Sequence, residues 1–178
     1  MFGRSIILIG MPGCGKSTIG RLLSSDCKMK FADTDDLLTD TLGMTLQEYI
    51  DKFGRDDLAK REEAFLKEMK APEEPMVIAT GGSAVLYPEA MMHLKEIGTV
   101  VFLDCDLPML SKRLWNFESR GIISPENQNK EAALMEVYMV REPLYYKYCD
   151  VRIDQGRKSR KTIVSQIVKG VTEYEERT

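Results

Sequence analysis

The chain reads as an α/β protein built on a parallel sheet, and two patterns predict this. Short apolar runs alternate with longer amphipathic segments along the whole sequence. The first of these runs leads directly into a glycine-rich loop that opens a helix, the order of a strand, a phosphate-binding turn and a helix N-terminus.

The first strand is the run Ser5–Ile9, followed by Gly10-Met11-Pro12-Gly13-Cys14-Gly15-Lys16-Ser17, a full match to G-x4-G-K-[ST]. Glycines let successive backbone N–H groups turn inward around phosphate oxygens. Lys16 has the reach to meet the β- and γ-phosphates, and the Ser17 hydroxyl suits Mg²⁺. The helix that begins there points its positive end at the same anion and runs to about Ser25. This loop identifies a nucleoside triphosphate as ligand.

A second strand spans Met29–Ala32 and ends in Asp33-Thr34-Asp35. If the chain stays extended, both carboxylates face one side beside the phosphate loop. One would organise Mg²⁺ and the other would accept a proton from an attacking hydroxyl; alternatively, the pair caps the next helix. The capping box Thr45-Leu46-Gln47-Glu48 starts a helix, and a charged helix follows from Asp56 to Met69, before Pro72. The strand Met76–Ala79 runs into Thr80-Gly81-Gly82-Ser83, where paired glycines allow close approach of a substrate and offer N–H groups to it.

Further helices are expected over Pro88–Ile97, Leu107–Asn116, Lys130–Val140 and Ser159–Tyr174, with strands at Thr99–Leu103 and Val151–Ile153. Residues 117–129 hold Gly121, Pro125 and three amides and read as a lid loop, with Arg120 placed to neutralise phosphate charge on closure. Pro143 should end a helix and leave Arg141 at its edge, available to grip a carboxylate or phosphate.

The 178 residues suit one compact domain, with 43% hydrophobic and 30% charged residues and a net charge of −3. That balance argues against nucleic acid as a main partner, and the basic cluster Arg157-Lys158-Ser159-Arg160-Lys161 reads as a solvated helix start or a nucleotide-side loop. No signal peptide or membrane span is evident. Cys14, Cys27, Cys105 and Cys149 are too scattered for a zinc site or a disulfide framework, which fits a reducing cytoplasm. His93, Trp115, Asp104 and the tyrosines at 145, 146 and 148 read as structural.

Taken together, the loop Gly10–Ser17, Asp33-x-Asp35, Gly54 with Glu62, Gly81-Gly82, Arg120 and Arg141-x-Pro143-x-Tyr145 resemble the shikimate kinase family over nearly the whole chain. The resemblance implies a P-loop NTPase fold, a three-layer α/β/α sandwich with a five-stranded parallel sheet in the order 2-3-1-4-5. It implies a single kinase domain over residues 1–178, with a substrate-binding helical region at about 35–70 and a lid at about 117–129. It implies transfer of the γ-phosphate of ATP, with Mg²⁺, to the 3-hydroxyl of shikimate by a cytoplasmic enzyme, expected here as a monomer.

In that reading Lys16, Asp35 and Arg120 are catalytic. Gly13, Cys14, Gly15, Lys16, Ser17, Thr18, Arg113 and Gln155 hold the nucleotide. Ser17 and Asp33 hold the metal, and Asp35, Arg55, Gly81, Gly82 and Arg141 hold the acceptor.

The sequence departs from the family on the acceptor side. Ala59 stands where the family motif G-E-x-x-F-R-x-x-E carries its carboxylate-binding arginine. Arg61 lies about 200° away around a helix, whereas Arg55 shares Ala59's face one turn earlier. Ser83 replaces a third glycine, and the lid lacks the family's proline after Arg120. Shikimate is therefore the first acceptor expected, with a gluconate-like sugar acid or another polyol as the alternative. A nucleotide-binding regulatory module without transfer activity is the third reading.

Overall fold

The computed structural model describes residues 2–113 and 130–178. Its strands are β1 (Ser5–Ile9), β2 (Lys30–Asp33), β3 (Met76–Ala79), β4 (Gly98–Asp104) and β5 (Val151–Asp154). They form one sheet in the order β2-β3-β1-β4-β5, and every pairing is parallel. This is the predicted topology. β1 lies at the centre, with Ile6 opposite Val77 on one side and Thr99 on the other. All five of its residues are buried, as are all seven of β4. A parallel sheet covered on both faces demands such uninterrupted apolar runs.

The helices are α1 (Lys16–Cys27), α2 (Thr34–Leu42), α3 (Leu46–Phe53), α4 (Arg55–Glu68), α5 (Pro88–Ile97), α6 (Leu107–Arg113), α7 (Lys130–Tyr148) and α8 (Arg160–Glu175). α1 packs on β3 and against α8, which covers β5; α5 and α7 pack on β4 and against each other. α3 starts at the expected capping box, in which Thr45 and Glu48 satisfy each other's backbone N–H. Gly54 joins α3 to α4 at φ 88°, a left-handed value that favours glycine.

Two expectations fail locally. The chain does not stay extended through Asp35: Asp33 closes β2 and caps α2, its carboxylate accepting from Asp35 N at 3.2 Å. The capping alternative is the observed one. Nor does Pro143 end a helix, since α7 runs through it to Tyr148. The i→i−4 bond that proline removes would have reached the Met139 carbonyl, and Met139 is 67% exposed, so water can serve that carbonyl. Beyond Pro143, the buried Tyr145 stacks on Phe102 of β4 at 5.0 Å, which holds the continued helix down. The expected helix Leu107–Asn116 is described as far as Arg113; its remainder and the expected lid lie outside the described residues.

Candidate active site

The phosphate loop lies at the C-terminal edge of the central strand. Gly13 and Gly15 have φ of 79° and 97°, and Gly15 is the N-cap of α1. A side chain at either position would strain the turn that aims the backbone amides. Lys16 is buried, and its Nζ donates to Gly10 O at 2.8 Å and Met11 O at 3.0 Å, so its charge spans the loop. Behind the loop, Arg113 Nη1 donates to Cys14 O at 3.1 Å and Gln155 Nε2 donates to the same oxygen at 2.8 Å. Arg113 also donates to Gln155 Oε1 at 3.3 Å. Thus α6 and the segment after β5 both brace the loop from the nucleotide end.

Ser17 Oγ donates to Asp33 Oδ2 at 2.6 Å, which brings the first helical hydroxyl and the β2 carboxylate together. No group of three or more metal-ligating side chains occurs among the described residues. Mg²⁺ needs none: it keeps several waters and binds through one or two protein oxygens plus substrate phosphates. The Ser17–Asp33 pair fits that requirement.

Asp35 lies in the first turn of α2, beside this pair. Burial raises its carboxyl from 3.8 to about 6, with Glu62 and Asp33 adding repulsion and Lys16 opposing it. A Cβ on Gly81 would meet Glu62 Oε1 at 2.7 Å and Asp35 Oδ1 at 2.8 Å, so two carboxylates flank one point of the 81–83 turn. A Cβ on Gly82 would meet Pro12 Cδ and Cγ at 2.6 Å, which keeps the turn against the phosphate loop. Gly81 N is not offered outward, because it donates to the buried Thr34 Oγ1 at 3.1 Å. Close approach, rather than a pair of N–H donors, is what this glycine supplies.

The turn is held from two further sides. Tyr145 OH donates to Gly82 O at 2.7 Å. Ser83 Oγ lies 2.6 and 2.8 Å from the two carboxylate oxygens of Glu62, and Tyr87 OH donates to Glu62 Oε2 at 3.0 Å. Burial pushes Glu62 up, and the Ser83 and Tyr87 hydroxyls and Arg141 pull it back. The sequence marked Ser83 as a replaced glycine that adds bulk and a hydroxyl, without its partner, and missed Thr34 and Tyr87. No local pattern signals them, because their partners are 21 to 47 residues away.

Lys16, Ser17, Asp33, Asp35, Glu62 and the 81–83 turn line one cleft of about 960 Å³, together with Tyr87, Arg113 and Gln155. At one end are residues Pro12–Ile19, Arg113, Gln155, Lys158 and Arg160; at the other are Asp35, Arg55, Ala59, Glu62, the 81–83 turn and Arg141. Lys158 and Arg160 of the basic cluster thus line the same cleft as the phosphate loop. Arg55 and Ala59 share the cleft-facing side of α4, whereas Arg61 reaches back to Asp57 at 3.7 Å and is largely exposed. Arg120, expected in the lid, lies outside the described residues. Asp104, which mimics a metal-binding acid in sequence, is held by Arg152 Nε at 2.8 Å, Arg152 Nη2 at 2.7 Å and Tyr146 OH at 3.2 Å. His93 Nε2 contacts Met69 O at 2.6 Å and ties α5 to the end of α4.

The family model for shikimate kinase matches residues 12–172. The chain belongs to the shikimate kinase family. It is 33% identical over 164 residues to the shikimate kinase of Francisella tularensis subsp. holarctica, covering 92% of each chain. Among solved structures, the shikimate kinase of Acinetobacter baumannii in complex with shikimate superposes with a TM-score of 0.86. That alignment has 26% identity and covers 96% of this chain and 93% of the other. The shikimate kinase of Aquifex aeolicus superposes with a TM-score of 0.79 at 28% identity, covering 94% and 96%. Ala59, Ser83 and Tyr87 all line the cleft of this shikimate kinase family member.

Proposed function

We propose that this chain transfers the γ-phosphoryl group of ATP to the 3-hydroxyl of shikimate. The observation that carries the reading is the position of Asp35. It sits where the phosphate-loop end of the cleft meets the acceptor end, with its carboxyl raised to about 6. A carboxylate with that affinity for protons is deprotonated at neutral pH yet basic enough to take a proton from a hydroxyl in the transition state. Asp35 orients and deprotonates the acceptor hydroxyl.

The phosphate-loop amides and Lys16 hold the triphosphate, with Gly13, Cys14, Gly15 and Thr18 along its path. Arg113 and Gln155 fix the nucleotide end. Ser17 and Asp33 would hold Mg²⁺, which supplies charge neutralisation between the phosphates when bound. Phosphoryl transfer asks mainly for positioning and charge neutralisation, and the chain concentrates cations where the triphosphate would lie. Arg141 and Arg55 face the acceptor's carboxylate in place of an arginine at position 59, and the role of neutralising the transferring phosphoryl group is assigned to Arg120. The four unpaired cysteines support a reducing, cytoplasmic setting.

A coupled ADP-release assay with shikimate, quinate and gluconate tests the assignment. Shikimate turnover is expected, with the Michaelis constant for shikimate raised about tenfold or more in Arg55→Ala. ADP release with gluconate but not shikimate would overturn the choice of acceptor. Turnover of shikimate indifferent to Arg55→Ala would remove Arg55 from the site.

A further inference from the structure

The acceptor end of the cleft contains a carboxylate, Glu62, whose hydrogen-bond donors come from across the cleft. Glu62 follows Ala59 by three residues, so the two share a face of α4 and both line the cleft. An alanine brings no charge to Glu62, and its own helix therefore offers no partner there. A half-buried carboxylate needs donors, or its ionised form is expelled. They come from the far wall instead, as Ser83 Oγ against both carboxylate oxygens and Tyr87 OH against one. Both donors belong to the short segment between β3 and α5. A 3₁₀ turn at Ala84–Leu86 lies between them, so one turn delivers both hydroxyls to one carboxylate.

The same segment fixes what Glu62 faces. Its Oε1 and Asp35 Oδ1 converge on the space that a Cβ at Gly81 would fill, and a residue with a side chain there would displace both. Tyr145 pins the neighbouring Gly82 carbonyl. A shift of Glu62 thus opens or closes the space beside Asp35, where the acceptor hydroxyl must sit.

We propose that Ser83 is a positioning residue of the acceptor pocket: with Tyr87 it holds Glu62 beside Asp35 through two neutral hydroxyls. Both donors are neutral hydroxyls, and the Arg141 charge also favours the ionised form of Glu62. A glycine at position 83 cannot do this, so Ser83 and Ala59 form a matched pair of departures. Ser83 acts through Glu62 and touches no reacting atom. The inference rests on shikimate being the acceptor.

The test is steady-state kinetics of the full chain with both substrates varied, after wild-type turnover of shikimate has been established. Absence of that turnover would reject the acceptor assignment, irrespective of Ser83. Given turnover, Ser83→Ala should raise the Michaelis constant for shikimate about tenfold, the usual worth of a hydrogen bond to a charged group, and leave that for ATP unchanged. Ser83→Thr should restore most of the loss. In an Ala59→Arg background, Ser83→Ala should cost less than threefold, because an arginine one turn from Glu62 takes over. Equal Michaelis constants for shikimate in wild type and Ser83→Ala would overturn the proposal. So would equal losses for both substrates with a lowered melting temperature, the signature of a purely structural serine. An undiminished effect in the Ala59→Arg background would overturn the pairing with position 59.

Discussion

Replacing Asp35 by asparagine should make this protein more stable while making it nearly inactive, and the size of the gain should depend on pH. The folded chain raises the Asp35 carboxyl from 3.8 to about 6. At about 1.4 kcal/mol per pH unit, holding the ionised form in place costs about 3 kcal/mol at pH 8. The sign follows from the direction. A carboxyl raised by folding costs nothing below pH 3.8, where it is protonated in both states. The cost grows through the window from 3.8 to about 6 and is complete above it. At pH 5 it stands at roughly half its full value. Asparagine keeps the shape and removes the charge.

For a chain of this length each kcal/mol moves the melting temperature by roughly 2–4 °C, so Asp35→Asn should melt about 6–12 °C higher at pH 8 and about half that at pH 5. Turnover with shikimate should fall by roughly 10²–10⁴, the range for loss of a general base. Thermal melts of the two proteins at both pH values, paired with the ADP-release assay, decide the matter. An equal gain at pH 5 and pH 8, or a melting temperature lowered at pH 8, would refute the origin assigned to the shift. Turnover of the variant within tenfold of wild type would refute the role.

The remaining expectations separate the two ends of the cleft from the frame. Arg113→Ala and Gln155→Ala each remove a donor to Cys14 O, so both should raise the Michaelis constant for ATP and leave that for shikimate unchanged in the same assay. Asp104→Asn weakens the contact with Arg152, which is half exposed and screened; chemical denaturation should show a loss of about 1 kcal/mol, with the Mg²⁺ dependence of turnover unaltered. A shifted Mg²⁺ dependence would make Asp104 a metal ligand after all.

Sequence and structure agree best where the backbone itself dictates residue type. The phosphate loop was legible because its turn tolerates only glycine at Gly13 and Gly15 and needs Lys16 and Ser17 at fixed offsets. The core strands were legible because a doubly covered parallel sheet favours apolar runs such as residues 6–9 and 100–103, with polar residues only towards the strand ends. Helix α2 was not, since residues 34–42 hold three aspartates and three threonines, all modest helix formers. It forms because Asp33 caps it and because Thr34 and Leu38 are buried. Pro143 misled for the converse reason: a strong local signal was overridden by the packing of Tyr145 and Tyr148 beyond it. Asp35 does line the cleft, in the first turn of a helix rather than in an extended segment. The Ser83–Glu62–Tyr87 contact was invisible, because a hydrogen bond across 21 residues leaves no periodicity to read.

The two walls of the cleft also differ in how freely they can change over generations. The nucleotide wall grows out of β1 and β4, which are buried along their whole length, and most substitutions beneath it would disturb the packing of the sheet. Helix α4 buries only Leu66 of its fourteen residues. An exchange on its cleft face, such as an arginine for Ala59, would leave the core almost untouched. Mutations on the cleft face of α4 should thus cost little stability, while those beneath the phosphate loop should cost more. Lineages with this fold should diversify in what they phosphorylate long before they diversify in what they phosphorylate it with.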